Sequence, residues 1–310
     1  MRILVLGAGG VGGYFGGRLL EKGEDVTFLV RKKRQQQLAE NGLVIKSIHG
    51  DVKLTPKTIT TEDKVETFDL VIFSTKAYHL EASMKDVKAF VGEDTIILPL
   101  LNGMNHVKKI QDYFGEERVL GGLCFIETTL GDKGEVVQTS PIHEVVFGEF
   151  SNEHTNRIRR VNEVLQGTKA SFRLSDFILR DMWHKYLFIT VLSGVTTLMR
   201  SPIGPIREVE NGESIIRQVF NEVAEVMHAV GAPLSEDIVD KHMNTVKKMT
   251  YTMKSSMQRD MEKGFFIEGE HLQGYLVQKA KKHDIHTPLL NLIYQNLKVY
   301  EERHSKKELS

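Results

Sequence analysis

The stretch that most constrains this chain is its beginning, MRILVLGAGGVGGYFGG from Met1 to Gly17. Ile3 to Leu6 is an apolar run without polar alternation, the pattern of a central parallel strand buried on both faces. Gly7, Gly9 and Gly12 follow in G-x-G-x-x-G spacing, and Val11, Phe15, Leu19 and Leu20 then recur as they would on a helix over Val11 to Glu21 packed against that strand. The three glycines have separate duties: a tight turn, close approach of backbone to a pyrophosphate, and close packing of helix on strand. The helix start meets phosphate with free N–H groups and the positive end of its dipole. Gly7, Ala8, Gly9, Gly10, Val11 and Gly12 are therefore the predicted cofactor-phosphate site of a Rossmann-type α/β domain.

The second strand, Asp25 to Val30, bears on which dinucleotide binds. A carboxylate at its end would favour the free ribose hydroxyl of NAD. This chain has Arg31 there, followed by Lys32, Lys33 and Arg34. A guanidinium with neighbouring ammonium groups suits a 2′-phosphate, so the expected cofactor is NADPH/NADP+. The alternative is a solvated basic turn that opens a helix.

At 310 residues the chain exceeds the usual size of one domain, and two are expected. Phe68 to Ser74 and Ile96 to Leu101 read as further buried strands. Their ends carry Thr75-Lys76-Ala77-Tyr78 and Asn102-Gly103-Met104-Asn105. Ligands of open parallel sheets bind beyond such strand ends, which places Lys76 and Asn102 beside nicotinamide or substrate. Leu43 to Ile48 and Val52 to Leu54 read as a hairpin or meander, Gln35 to Asn41 as a helix. Val119 to Thr129, Glu135 to Phe150 and Ser171 to Leu174 read as later strands, with a helix over Asn156 to Gly167. From Asp176 onward the pattern is helical, ending in a helix capped by Thr287 with Pro288 in its first turn and a frayed tail from Ser305. The predicted architecture is thus a dinucleotide-binding domain over residues 1–175 and an all-α domain over residues 176–310.

Lys plus Arg and Asp plus Glu both number 41, so no basic excess points to nucleic acid or an anionic membrane. Tyr186 to Met199, the longest apolar helix candidate, is too short and too rich in Ser, Thr and Gly to span a hydrocarbon core of ~30 Å. The N-terminal apolar run is too interrupted by glycine for a signal peptide. Cys124 is the one cysteine, in the apolar run LCFI, which fits an inert buried thiol and a reducing, cytoplasmic setting. The histidines lack a zinc-binding spacing, so no metal is expected.

Two ionisable residues fall on apolar helix faces. Lys185 shares a face with Met182 and Ile189 in a segment apolar nearly all round, and desolvation there makes an ammonium a better proton donor. Glu268 falls with Leu272, Tyr275 and Leu276 if the helix runs from Ile267 to Lys281, while Glu270 points away. A carboxylate on a buried stripe needs a partner, a ligand or a cleft.

In sum, GAGGVGGYFG at Gly7 to Gly16, Arg31, STKAY around Lys76, LLNGM around Asn102, MWHK ending at Lys185, SSMQRD from Ser255 and IEGEHLQGYL around Glu268 occur in that order. This series closely resembles the ketopantoate reductase (2-dehydropantoate 2-reductase) family almost end to end. The resemblance implies that Lys185 is the general acid, that Glu268 binds the substrate hydroxyl, and that Ser256 contacts the substrate carboxylate. Lys76, Asn102 and Glu268 are implied around the cofactor as well. The implied reaction is reduction of a 2-oxo acid by NADPH in a site closed between the domains, with 2-dehydropantoate, a pantothenate precursor, as the leading substrate. One departure stands out. The family commonly has asparagines one and two turns after the lysine, where this chain has Ile189 and Ser193, and asparagine where Gln273 stands. Both Ile189 and Ser193 are expected beside the substrate. They favour an alternative, a paralogue acting on another oxo acid or an imine; a non-catalytic NADP(H)-binding regulator is the third reading. The expected partner is a small-molecule substrate, without nucleic acid or membrane, and a homodimer is left open.

Overall fold

The computed structural model describes residues 1–308, with side chains through Ser305. Two compact units make up the chain: Met1–Asn102 with His106–Ile178, and Gly103–Asn105 with the segment from Leu179 onward.

The first unit runs β1 (Arg2–Leu6), α1 (Gly10–Lys22), β2 (Asp25–Leu29), α2 (Lys32–Asn41), β3 (Leu43–Ser47), β4 (Val52–Leu54), β5 (Lys57–Ile59), β6 (Phe68–Phe73), α3 (Leu80–Val87), β7 (Val91–Pro99), α4 (Asn105–Phe114), β8 (Gly121–Leu130), β9 (Val136–Gly148), α5 (Asn156–Leu165) and β10 (Ser171–Leu174). Its first sheet has the order β5-β2-β1-β6-β7, all parallel, with Leu6 opposite Leu29 on one side and Phe73 on the other. Chain direction across the sheet reverses between β1 and β6, so the ends of these strands form the switch-point crevice where doubly wound folds bind ligands. Both faces of the sheet are covered. Ile3, Val5 and Phe28 belong to one buried cluster and Leu4, Leu6 and Phe73 to the other, which is why β1 has no polar alternation.

A second sheet, of order β10-β9-β3-β4 with β8 antiparallel to β9, was not foreseen as a separate layer. Its central pairing joins Ile45 of β3 in parallel with Val136 of β9, across a sequence gap that no local pattern spans. Helix α1 lies between the two sheets, and its glycines permit this. A Cβ at Gly16 would come within 2.8 Å of Val5 in the first sheet, and one at Gly17 within 2.6 Å of Ile45 in the second. Arg18 is fully buried on the same helix, bonded to Glu21 at 2.6 Å and to the Gly50 carbonyl at 2.7 Å.

The second unit is helical: α6 (Ile178–Met199, whose first residue closes the first unit), α7 (Ile203–Glu208), α8 (Gly212–Ala229), α9 (Ile238–Lys248), α10 (Ser256–Glu262), a π-helical turn over Glu270–Gly274, α11 (Tyr275–Lys282) and α12 (Pro288–Glu308). Leu187, Val191, Phe220, Val223, Leu276 and Leu297 are buried within it. The first turn of α12 is held from a distance, because Glu222 of α8 accepts the N–H groups of Leu289 and Leu290 at 3.1 and 2.9 Å.

Several boundaries differ from the sequence reading. Helix α2 starts at Lys32 rather than Gln35, β7 starts at Val91 rather than Ile96, and β5 went unpredicted. Helix α12 continues through Glu308, past Ser305 where fraying was expected; Leu309 and Ser310 lie outside the described residues. The single helix expected from Ile267 begins instead as the π turn, so Glu268 precedes it. Among the described residues, no helix is long and apolar enough to cross a membrane.

Candidate active site

The first unit supplies a nucleotide cradle. Gly7 has φ +93°, a value that L side chains avoid, and its N–H donates to Leu29 at 3.0 Å, which turns the chain sharply off β1. At Gly12 a Cβ would collide with the Gly7 carbonyl oxygen and with Ser74 Oγ. At Gly9, the N-cap of α1, a Cβ would meet nothing within 4 Å, and no side chain caps the helix. An open space in front of uncapped N–H groups, with no acidic residue in the first turn, fits a dinucleotide pyrophosphate. The Ser74 hydroxyl donates to the Leu6 carbonyl at 2.9 Å and ties this turn to the end of β6.

The basic run after β2 divides its duties. Lys32 pairs with Glu62 at 2.8 Å. Arg34, which sequence reasoning did not separate from its neighbours, turns inward, and its Nε and Nη2 donate to the Ala8 carbonyl at 3.2 and 2.9 Å. Arg34 thereby fixes the glycine turn from below. Arg31 is the exposed N-cap of α2, directly past β2. Burial, and then the Arg31 charge, hold the pKa of His79 below the ordinary imidazole value, which sets the guanidinium near the segment that follows Lys76. Lys76 stands at the end of β6 as the cap of a short 3₁₀ turn, and Asn102 lies three residues past β7; both are half-buried.

The second unit carries the lysine, the glutamate and the serine singled out in the sequence. Lys185 is 8% exposed on α6, among buried Met182, Tyr186 and Leu187. Its helix is anchored to the α9 segment through the preceding residue, His184. His184 Nε2 accepts from the Ser235 N–H at 3.0 Å, and the His184 carbonyl accepts from His242 Nε2 at 2.9 Å. These bonds define opposite tautomers for the two rings, Nδ1–H for His184 and Nε2–H for His242. Burial lowers the pKa of both, that of His242 to about 4, so each is neutral near pH 7.

Glu268 is also 8% exposed, and its carbonyl accepts the Leu272 N–H at 3.0 Å. The Leu272 carbonyl in turn accepts from the Tyr186 hydroxyl at 2.6 Å. Tyr186, unmarked in the sequence beyond its place in an apolar run, thus fixes the Glu268 segment against α6. Gly103, with φ +81°, approaches the same turn: a Cβ there would lie 3.1 Å from Leu272. Glu270 does point away from the buried stripe, where it accepts from the Tyr294 hydroxyl and from Gln278 at 3.0 Å.

Ser256 is exposed in the first residue of α10. Its neighbour Ser255 is buried, caps that helix by accepting from Gln258 N at 3.1 Å, and meets Thr196 Oγ1 at 2.8 Å. Ile189 is half-buried one turn beyond Lys185. Ser193 is enclosed and bonded to Gln273 at 2.9 Å.

With this geometry in view, comparison with known proteins is decisive. The family model described as ketopantoate reductase PanE/ApbA matches residues 3–152, and that of its C-terminal domain matches residues 177–301. The chain belongs to the ketopantoate reductase family. It is 46% identical over 301 residues to the uncharacterized oxidoreductase YkpB of Bacillus subtilis, covering 97% of this chain and 99% of the relative. It is 24% identical to a 2-dehydropantoate 2-reductase of Nostoc, covering 99% of this chain and 97% of that one. The crystal structure of 2-dehydropantoate 2-reductase from Geobacter metallireducens superposes with a TM-score of 0.87 at 27% identity, over 96% of this chain and 99% of the other. As a member of the ketopantoate reductase family this protein is an NADP(H)-dependent oxidoreductase with a Rossmann-type domain followed by a helical one.

Proposed function

We propose that the protein reduces a 2-oxo acid to the 2-hydroxy acid with NADPH, with reduction of 2-dehydropantoate to pantoate, in the reducing cytoplasm, as the first reaction to test. The observation that carries this reading is the burial of Lys185 and Glu268 in one helical unit of a chain whose other unit offers a dinucleotide cradle.

The hydride is what NADPH would supply when bound; Gly7–Gly12 would hold its pyrophosphate and Arg31 its 2′-phosphate. Reduction adds a hydride and a proton across the carbonyl bond, two electrons and two protons in all. Carbon 2 receives the hydride, and the former π pair becomes an alkoxide. The Lys185 ammonium, poorly solvated, stabilises the charge as it develops and donates the proton. Once the 2-hydroxy acid has left, Lys185 takes its proton back from water. Ser256 donates to the carboxylate, Glu268 accepts from a substrate hydroxyl, and Lys76 and Asn102 orient the nicotinamide and carbonyl.

A second reading, another oxo acid or imine, is favoured by the apolar Ile189 beside Lys185. The test is NADPH oxidation with 2-dehydropantoate and a panel of branched 2-oxo acids, with the hydroxy acid identified chromatographically. Stoichiometric hydroxy acid formation is expected. NADPH binding without turnover of any oxo acid or imine would instead leave a non-catalytic regulator.

A further inference from the structure

We propose that Arg34 aims the glycine turn at the dinucleotide pyrophosphate, as a positioning residue on which affinity for NADPH and for NADH depends equally. The proposal concerns only how the cofactor is gripped, so it goes beyond the oxo acid reductase reading and holds whatever the substrate.

The argument turns on one peptide unit. Arg34 Nε and Nη2 both donate to the Ala8 carbonyl, at 3.2 and 2.9 Å. The peptide from Ala8 to Gly9 is trans, and a planar trans peptide carries its carbonyl and its N–H on opposite edges. Holding the oxygen toward α2 therefore leaves the Gly9 N–H on the far edge, at the uncapped start of α1 where phosphate-binding N–H groups gather. Ala8 stands between Gly7 and Gly9, so rotation of this peptide is sterically cheap. An oxygen turned into the cradle would repel a phosphate. The guanidinium prevents that rotation, and as a permanent, half-buried cation behind the turn it favours any anion bound there.

Arg34 is itself held in place. Its Nη1 donates to Gln37 Oε1 at 2.6 Å, one turn on in α2, and Gln37 Nε2 donates to the Lys133 carbonyl at 2.9 Å. A main-chain carbonyl only accepts, so the second bond fixes the orientation of the amide. The turn between β8 and β9 is seated on this pair: Gly134 has φ +78°, and a Cβ there would collide with both Arg34 and Gln37. A side chain bonded at three nitrogens keeps its place whichever dinucleotide binds. Both dinucleotides carry the pyrophosphate and only NADPH carries the 2′-phosphate, so loss of Arg34 weakens the two alike.

Calorimetric titration of the full chain with NADPH and with NADH tests this without turnover. Arg34→Ala should raise both Kd values by on the order of tenfold or more, the scale of a lost hydrogen bond to a charged group, with their ratio within about twofold of the parent's. Arg34→Lys, which keeps the charge and one donor for Ala8, should recover part of the loss. The fragment 2′-AMP has the 2′-phosphate but no pyrophosphate, and it should bind Arg34→Ala as it binds the parent. Gln37→Ala spares the Ala8 bonds and should raise both Kd values equally, by about twofold or more; it decides the matter if Arg34→Ala does not fold, and unchanged constants in it overturn the brace. A Kd ratio that collapses toward one in Arg34→Ala would make Arg34 a ligand of the 2′-phosphate. Unchanged constants in Arg34→Ala, or 2′-AMP weakened as much as NADPH, would make it a general support of the domain. Each of these results overturns the proposal.

Discussion

Tyr186 donates its hydroxyl to the main-chain oxygen of Leu272 at 2.6 Å, and Leu272 donates its own N–H to the Glu268 carbonyl at 3.0 Å. Two bonds therefore join the residue after Lys185 to the main chain of Glu268. Burial, with Tyr275 nearby, holds the Tyr186 phenol well above its ordinary range, so it remains a donor near neutral pH. Tyr186→Phe keeps the ring and removes the bond to the Leu272 carbonyl, at a cost of about 0.5–1.5 kcal/mol. Thermal denaturation should show a Tm several degrees lower. Steady-state kinetics should show a reduced kcat/KM for the oxo acid with NADPH affinity intact. A variant matching the parent in both would show that the bond positions nothing.

Arg31 tests the cofactor assignment. Its guanidinium is exposed past β2, whereas Lys32 is paired with Glu62 and Arg34 is turned to Ala8. Selectivity for the 2′-phosphate is then assigned to Arg31, the N-cap of α2, with Lys33 the other exposed cation of the run, and one charged hydrogen bond is worth about 1.5–3 kcal/mol. NADPH should outperform NADH by roughly tenfold or more, and Arg31→Ala should narrow the gap mainly through the KM for NADPH. Equal use of the two cofactors by the parent protein would contradict this role.

A pH effect on stability is expected at Glu301. Its carboxyl faces the N–H groups of Gly269 and Glu270, just after Glu268, but burial and then the charge of Glu270 raise its pKa from 4.5 to about 7. The folded-state value lies above the unfolded one. The stability it contributes is therefore complete below about pH 4.5 and is lost as pH rises through about 7. Glu301→Gln should gain on the parent between pH 5 and pH 8 by about 1–3 kcal/mol, after allowance for solvent screening. Denaturant titrations at both pH values measure it, and a difference independent of pH would refute the shift.

Much of this was legible in the sequence where a residue's duty is local. The turn at Gly7 demands a backbone that only glycine adopts readily, and β1 and β6 announce themselves as apolar runs because both sheet faces are covered. The burial of Lys185 was readable from helical spacing, since its neighbours on the face are apolar. Long-range pairing was not readable. The second sheet depends on β3 meeting β9, and nothing near Ile45 signals Val136. The cap that Glu222 gives α12, the inward turn of Arg34 to Ala8 and the bond from Gln273 to Ser193 are likewise contacts between residues far apart in sequence. The π turn at Glu270–Gly274 was missed because α and π turns share composition and differ only in which carbonyl each N–H reaches.

The most direct test of the account is the single-turnover and steady-state rate of Lys185→Ala with a 2-oxo acid that the parent reduces. Deuterated NADPH should be used to establish that hydride transfer limits turnover. The account predicts a fall in kcat of roughly 10²–10⁴-fold, the usual contribution of a positioned proton donor, with NADPH binding unchanged because the cradle lies in the other unit. An undiminished kcat, with hydride transfer shown to be rate-limiting, would contradict the assignment of Lys185 as the acid and with it the proposed reaction chemistry.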